Sequence, residues 1–72
     1  MLPDPHAFVK RSLSIAGHRT SLSLEGAFWR RLEALAGQRG VSLSALVAEV
    51  DAARGEANLS SALRVFALES QA

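Results

Sequence analysis

Residues 19–24, RTSLSL, alternate without interruption, and this stretch limits the folds open to the chain. Thr20, Leu22 and Leu24 fall on one side; Arg19, Ser21 and Ser23 fall on the other. Period two with aliphatic and β-branched residues on one side predicts a half-buried strand. A six-residue strand cannot form a sheet alone, because its backbone N–H and C=O groups need partners. The pairing strand must come from elsewhere in the chain or from a second copy. The sequence has 72 residues and no Cys, so neither a disulfide nor a thiolate zinc site can staple it. With 49% hydrophobic residues, 13 Ala and 11 Leu among them, it is too apolar for a disordered peptide. Cores of this size are marginal. An apolar chain without a covalent staple therefore suggests a core completed by a second copy.

From residue 26 onward the period lengthens. Phe28, Leu32, Leu35 and Ala36 fall at i, i+4, i+7 and i+8, flanked by Trp29, which predicts one face of a helix. Trp29, Phe28 and Phe66 read as core aromatics, and Arg30 and Arg31 as part of a solvated face. Glu25 sits where the positive end of that helix would favour it. Gly40 is expected to end the helix in the left-handed conformation, and Ser42 to cap the next one. Leu43, Leu46, Val47 and Val50 carry the second apolar face, closed by Arg54-Gly55. Asn58 caps a predicted third helix over residues 59–69, with Leu59, Ala62, Leu63 and Phe66 on one face.

Residues 1–18 admit two readings. Pro3 and Pro5 forbid a helix and favour an extended arm. Residues 8–16 alternate, with Val9, Arg11, Leu13 and Ile15 on one side, which is strand-like apart from Arg11. Gly17-His18 marks a break. The prolines and Arg11 tip the expectation toward an arm, in which Lys10 and Arg11 would contact phosphates.

Residues 1–40 hold six Lys/Arg against three Asp/Glu, and residues 41–72 hold two against four, within a net charge of +1. A weakly basic N-terminal half fits an anionic partner. No segment reaches the roughly 18 apolar residues of a membrane span. The start of the chain lacks a secretory pattern, so the expected location is the cytoplasm. His6 and His18 have no acidic companion at ligand spacing, so no metal is expected. There is no nucleophile elbow and no Gly-rich phosphate loop, so the reading is a protein that is not an enzyme and takes no cofactor.

The stretch RTSLSLEGAFWRRLEALAGQRGVSLSALVAEV, residues 19–50, resembles the strand, first helix, G-x-S turn and second helix of the ribbon-helix-helix family of the Met and Arc repressors. The frame from GHRTSLSLE through FW to NLSSALRVFALE is also similar to a small bacterial ribbon-helix-helix family of uncharacterised proteins. The resemblance implies a mainly α fold: one short N-terminal β-strand pairing across a homodimer, two core helices and a C-terminal third helix. The implied division is an arm or extra strand over residues 1–18, a core over 19–54, and a helix packed on it over 55–72. It implies a repressor-like regulator of transcription that binds double-stranded DNA, with the ribbon in the major groove. Arg19, Ser21 and Ser23 would read bases. The start of the second helix would hold a phosphate through the backbone of Val41, Ser42 and Leu43, helped by the Ser42 or Ser44 hydroxyl and by Arg39. The sequence departs from the family where Glu25 follows the strand in place of a frequent proline. If residues 9–16 add a strand, a paired dimer would carry four strands, wider than the groove, and the sheet face is then expected to bind protein or to lie across the DNA backbone. The alternative is an antitoxin-like or adaptor dimer that holds a protein partner through Leu63, Phe66 and Leu68.

Overall fold

A computed structural model of the chain describes residues 4–70. Pro3 of the proline pair, and residues 71 and 72 of the C-terminal segment, lie outside the described residues. The element order is β1 (Phe8–Ile15), β2 (His18–Glu25), α1 (Gly26–Arg39), α2 (Leu43–Ala53) and α3 (Leu59–Glu69). The single expected strand is therefore a hairpin, and the expected arm is corrected. β1 and β2 pair antiparallel in one chain, with Phe8 opposite Glu25 and Ile15 opposite His18. The turn is Ala16-Gly17, one residue earlier than the expected break. Both residues have positive φ, 51° at Ala16 and 83° at Gly17. Such a two-residue turn matches the right-handed twist of the strands it joins.

The segment before β1 is also tied down. Gly26 N–H donates to Ala7 C=O at 3.0 Å and Ala27 N–H to Pro5 C=O at 3.1 Å. These carbonyls satisfy the first free donors of α1, which has no side-chain cap. The proline-containing stretch thus acts as a backbone cap.

Val9, Arg11, Leu13 and Ile15 of β1 share the helix side of the hairpin with Thr20, Leu22 and Leu24 of β2, as the alternation predicts. Arg11 is accommodated there without burying its charge. Its guanidinium lies over the Trp29 ring, 5.2 Å from the centroid, and reaches Glu33 at 3.5 Å. A long side chain can cover apolar surface while its head stays wet. Trp29 is buried, and its indole N–H donates to Val9 C=O at 2.8 Å.

The caps follow the sequence expectations. Gly40 takes φ 68°, with Val41 N–H donating to Ala36 C=O and Gly40 N–H to Gly37 C=O, a Schellman ending. Ser42 Oγ accepts from Ala45 N–H, and Asn58 Oδ1 from Ser61 N–H. α3 folds back over the sheet and first two helices, burying Leu63 and Ala67 in the same core as Leu24, Leu32 and Leu46. Within one chain the hairpin and the three helices share this core. Arg31, expected on a solvated face, instead holds the end of α3: Nη2 donates to Ser70 C=O at 2.6 Å and Nε to Ala67 C=O at 3.3 Å. A cation at a helix C-terminus is favoured by the exposed carbonyls.

A second clamp joins α3 to the end of the hairpin. Arg64 Nε donates to Glu25 at 2.9 Å, and its guanidinium lies 5.9 Å from the ring centroids of both Phe8 and Phe28. A backbone hydrogen bond at Glu25 and then the Arg64 hydrogen bond hold the Glu25 carboxyl below its ordinary pKa.

Two outcomes are expected. Ala16 pays a steric penalty for its left-handed backbone that Asn tolerates better. Ala16→Asn should raise the unfolding free energy by about 0.5–1 kcal/mol in urea titrations; a lower value would contradict the turn. A lowered folded pKa means that Glu25 contributes stability above its ordinary value of 4.5, and that this is lost as pH falls through the folded value. Glu25→Gln should therefore be less stable at neutral pH and show a shallower loss below about 4.5. Parallel slopes for the two proteins between pH 5 and pH 3 would refute the clamp.

Candidate nucleic-acid interface

The face of the hairpin turned away from the helices is built from alternate residues of both strands. Lys10 lies opposite Ser23, Ser12 opposite Ser21, and Ser14 opposite Arg19. All six are exposed. The middle pair is linked, with Ser12 Oγ 3.3 Å from Ser21 Oγ. The expected reading residues Arg19, Ser21 and Ser23 thus share one surface. β1 adds Lys10, Ser12 and Ser14 to it, and the two serines were not singled out from sequence. Their alternation was visible; the pairing of their strand with β2 was not.

The face has a definite length. Lys10 and Arg19 lie near opposite ends and on opposite strands, four pairs apart in register. At roughly 3.4 Å per residue they are separated by about 14 Å along the ribbon, close to the length of four base pairs.

Glu25, opposite Phe8 and two residues beyond Ser23, is the strand carboxylate at the Lys10 end of this face, and Arg64 holds it. Of the eight Lys/Arg, Arg11, Arg31, Arg39, Arg54 and Arg64 each have partners. Arg11 pairs with Glu33, Arg39 with Glu49, Arg54 with Asp51 and Arg64 with Glu25, and Arg31 binds carbonyls. Lys10, Arg19 and Arg30 make no ion pair or side-chain hydrogen bond among the described residues. Two of these three cations stand on the outward face. The acidic groups nearest the hairpin, Glu25 and Glu33, are each held by an arginine. Glu25, which replaces the frequent proline, is thereby neutralised.

The structure separates Arg11 from Lys10. Alternation puts Lys10 outward, whereas Arg11 lies on the helix side against Trp29 and Glu33, away from the outward face. The expected group at the start of α2 also narrows. Val41 N–H is occupied by Ala36 C=O at 3.0 Å, so it is no anion donor. Ser42 Oγ already accepts from Ala45 N–H. The N–H groups of Leu43 and Ser44, first in α2, have no partner among the described residues. Arg39 is drawn off over the Phe66 ring, 5.0 Å from its centroid.

The expected protein-partner surface is also redistributed. Leu63 is fully buried in the core and cannot meet a partner, Phe66 is half-buried, and Leu68 is 82% exposed. No helix among the described residues is long and apolar enough to cross a membrane, and no group of His, Cys, Asp or Glu among them could hold a metal ion.

Comparison with known proteins agrees with this architecture. No curated protein matches the chain. The solved structure of an uncharacterised protein from Bordetella pertussis Tohama I is similar, with 38% sequence identity and a TM-score of 0.76. The match covers 89% of this chain and 55% of that one, so the chain spans about half the length of its structural relative. The ribbon-helix-helix domain profile matches residues 8–71, from the first residue of β1 to beyond the end of α3. The chain therefore belongs to the ribbon-helix-helix domain family.

Proposed function

We propose that this protein is a DNA-binding regulator of transcription, repressor-like and homodimeric, which presents the outward face of its hairpin to duplex DNA. The observation that carries this reading is the distribution of cations. Five of the eight Lys/Arg are engaged within the chain, and two of the remaining three stand on one serine-lined ribbon face. The family is rich in DNA-binding regulators, which supports the same reading.

Width decides how the ribbon is used. Two strands about 4.8 Å apart fit a major groove about 12 Å wide. Two hairpins joined edge to edge would span roughly 15 Å between outer backbones, before side chains. Each chain therefore engages DNA with its own two-stranded hairpin. Arg19 takes a guanine edge through a bidentate contact, while Ser21 and Ser23 accept or donate and discriminate weakly. Lys10 binds a phosphate, as do the Leu43 and Ser44 N–H groups at the start of α2. With so few cations, affinity is modest and selectivity rests largely on Arg19.

Fluorescence anisotropy with duplexes of varied sequence tests this. Binding should weaken with salt, with a log–log slope of about −1 per chain for the phosphate bound by Lys10. Arg19→Ala should cost roughly 10- to 100-fold on the preferred duplex and flatten the sequence preference. Lys10→Ala should weaken all duplexes alike and reduce the slope by about one. No binding at low salt would overturn the reading.

A further inference from the structure

The two strands of the hairpin repeat one another. Residues 10–15 read KRSLSI and residues 19–24 read RTSLSL, nine positions later. Ser, Leu and Ser are identical, Lys is matched by Arg and Ile by Leu, and Arg11 and Thr20 differ. Exposure repeats with the sequence. Leu13 and Leu22 are buried, as are Ile15 and Leu24; Arg11 and Thr20 are half-buried, and the alternate residues are exposed.

The register turns this repeat into a symmetry. In an antiparallel pair a local two-fold axis passes between two directly opposed residues, perpendicular to the ribbon. Ser12 lies opposite Ser21. With Lys10 opposite Ser23 and Ser14 opposite Arg19, the axis between Ser12 and Ser21 exchanges Lys10 with Arg19 and Ser14 with Ser23. The core accounts for the inward half of the repeat, since both strands supply aliphatic residues to it. It does not account for the outward half, where any polar residue would serve. There the order cation, Ser, Ser occurs twice, on opposite strands. Four short hydroxyl side chains occupy the middle, so nothing bulky holds the backbone away from a surface. Ser12 and Ser21 sit on the axis, and one hydroxyl donates to the other at 3.3 Å, which leaves a free proton on the acceptor. Either serine can be the donor, so the pair offers the same chemistry to both sides.

Duplex DNA is a ligand with matching symmetry. Its strands are antiparallel, so a self-complementary sequence presents the same base edges on either side of its own local two-fold. We propose that each hairpin reads a short inverted repeat, with its axis over that of the DNA. This rests on the DNA-binding reading above and adds the class of sequence bound. Ser12 and Ser14 meet on one DNA strand the base positions that Ser21 and Ser23 meet on the other. The β1 serines therefore determine specificity as much as the β2 serines do. The element spans about four base pairs, the separation of Lys10 from Arg19. Its two ends differ. Arg19 takes a guanine through two parallel hydrogen bonds, whereas Lys10 acts as a point charge on the backbone beside the symmetry-related base. A two-fold between subunits would repeat this element without creating it.

Selection of bound duplexes from a randomised pool by the full chain, followed by sequencing, tests the proposal. The wild-type protein should enrich an element of about four base pairs, self-complementary in its middle, with guanine selected at one end only. Lys10→Arg completes the symmetry of the face. It should add a guanine on the opposite strand, about four base pairs from the first, and tighten binding to the symmetric duplex by about 10-fold. A gained preference does not arise from a misfolded protein. Ser12→Ala with Ser14→Ala should relax base preference in one half of the element, and Ser21→Ala with Ser23→Ala should relax it in the other half to a similar degree. An enriched sequence without self-complementarity would overturn the proposal. So would a Lys10→Arg protein that still selects one guanine, or a Ser12 and Ser14 double variant with unchanged preferences. In each of those cases duplex binding persists and the DNA-binding reading stands. No enrichment by any of these proteins would overturn both.

Discussion

The structure depends on how β2 satisfies its backbone. Eight residues of strand carry donors and acceptors that must be paired wherever water is excluded. Here β1 supplies the partner within the same chain, through a turn that forces Ala16 and Gly17 to positive φ. Once that pairing is made, the rest follows geometrically. Leu13, Ile15, Leu22 and Leu24 are brought to one side, and α1, α2 and α3 cover them. Trp29 locks the arrangement by placing a large buried ring under β1 and bonding to the Val9 carbonyl. The same pairing places every outward serine on one polar ribbon.

α3 has a comparable role among the helices. A chain this small has little net stability, of the order of 5 kcal/mol or less, while truncating one fully buried Leu to Ala costs about 2–5 kcal/mol. Leu63 is such a residue. Two arginines fix α3 from opposite sides: Arg31 takes the carbonyls at its C-terminal end, and Arg64 reaches to Glu25 at the end of β2. Arginine suits both tasks because its planar fork offers several donors, and the Arg64 guanidinium also lies near the Phe8 and Phe28 rings. The consequence for function is subtraction. With most cations committed to the fold, what remains on the hairpin face defines a small and localised positive surface.

Much of this was legible in the sequence because it is local. The αL position of Gly40, the caps at Ser42 and Asn58, and the bounds of α3 depend on residues within one or two turns. The outward placement of Arg19, Ser21 and Ser23 followed from period two alone. What escaped was pairing at a distance. The alternation of residues 8–16 was visible, but Arg11 interrupted it, and only Trp29 and Glu33 explain why an arginine is tolerated on that side. Arg31 read as a surface charge, and nothing singled out Arg64, because their partners lie 36 to 39 residues away. The main reading packs the Leu63 face of α3 on the core, as found, while the alternative reading groups Leu63 with Leu68 on a partner surface; one is buried and the other exposed because they lie on different sides of the helix. The candidate site was thus half legible: the β2 residues could be read, whereas the β1 half and the loss of Val41 and Arg11 required the fold.

The central claim is that the hairpin's outward face, and not a helical surface, meets DNA. Backbone amide shifts on titrating a short duplex into isotopically labelled protein at low salt test it directly. The account predicts the largest changes at Lys10, Ser12, Ser14, Arg19, Ser21 and Ser23, with a second group at Leu43 and Ser44. Changes concentrated on α3, with the hairpin amides unmoved, would contradict it.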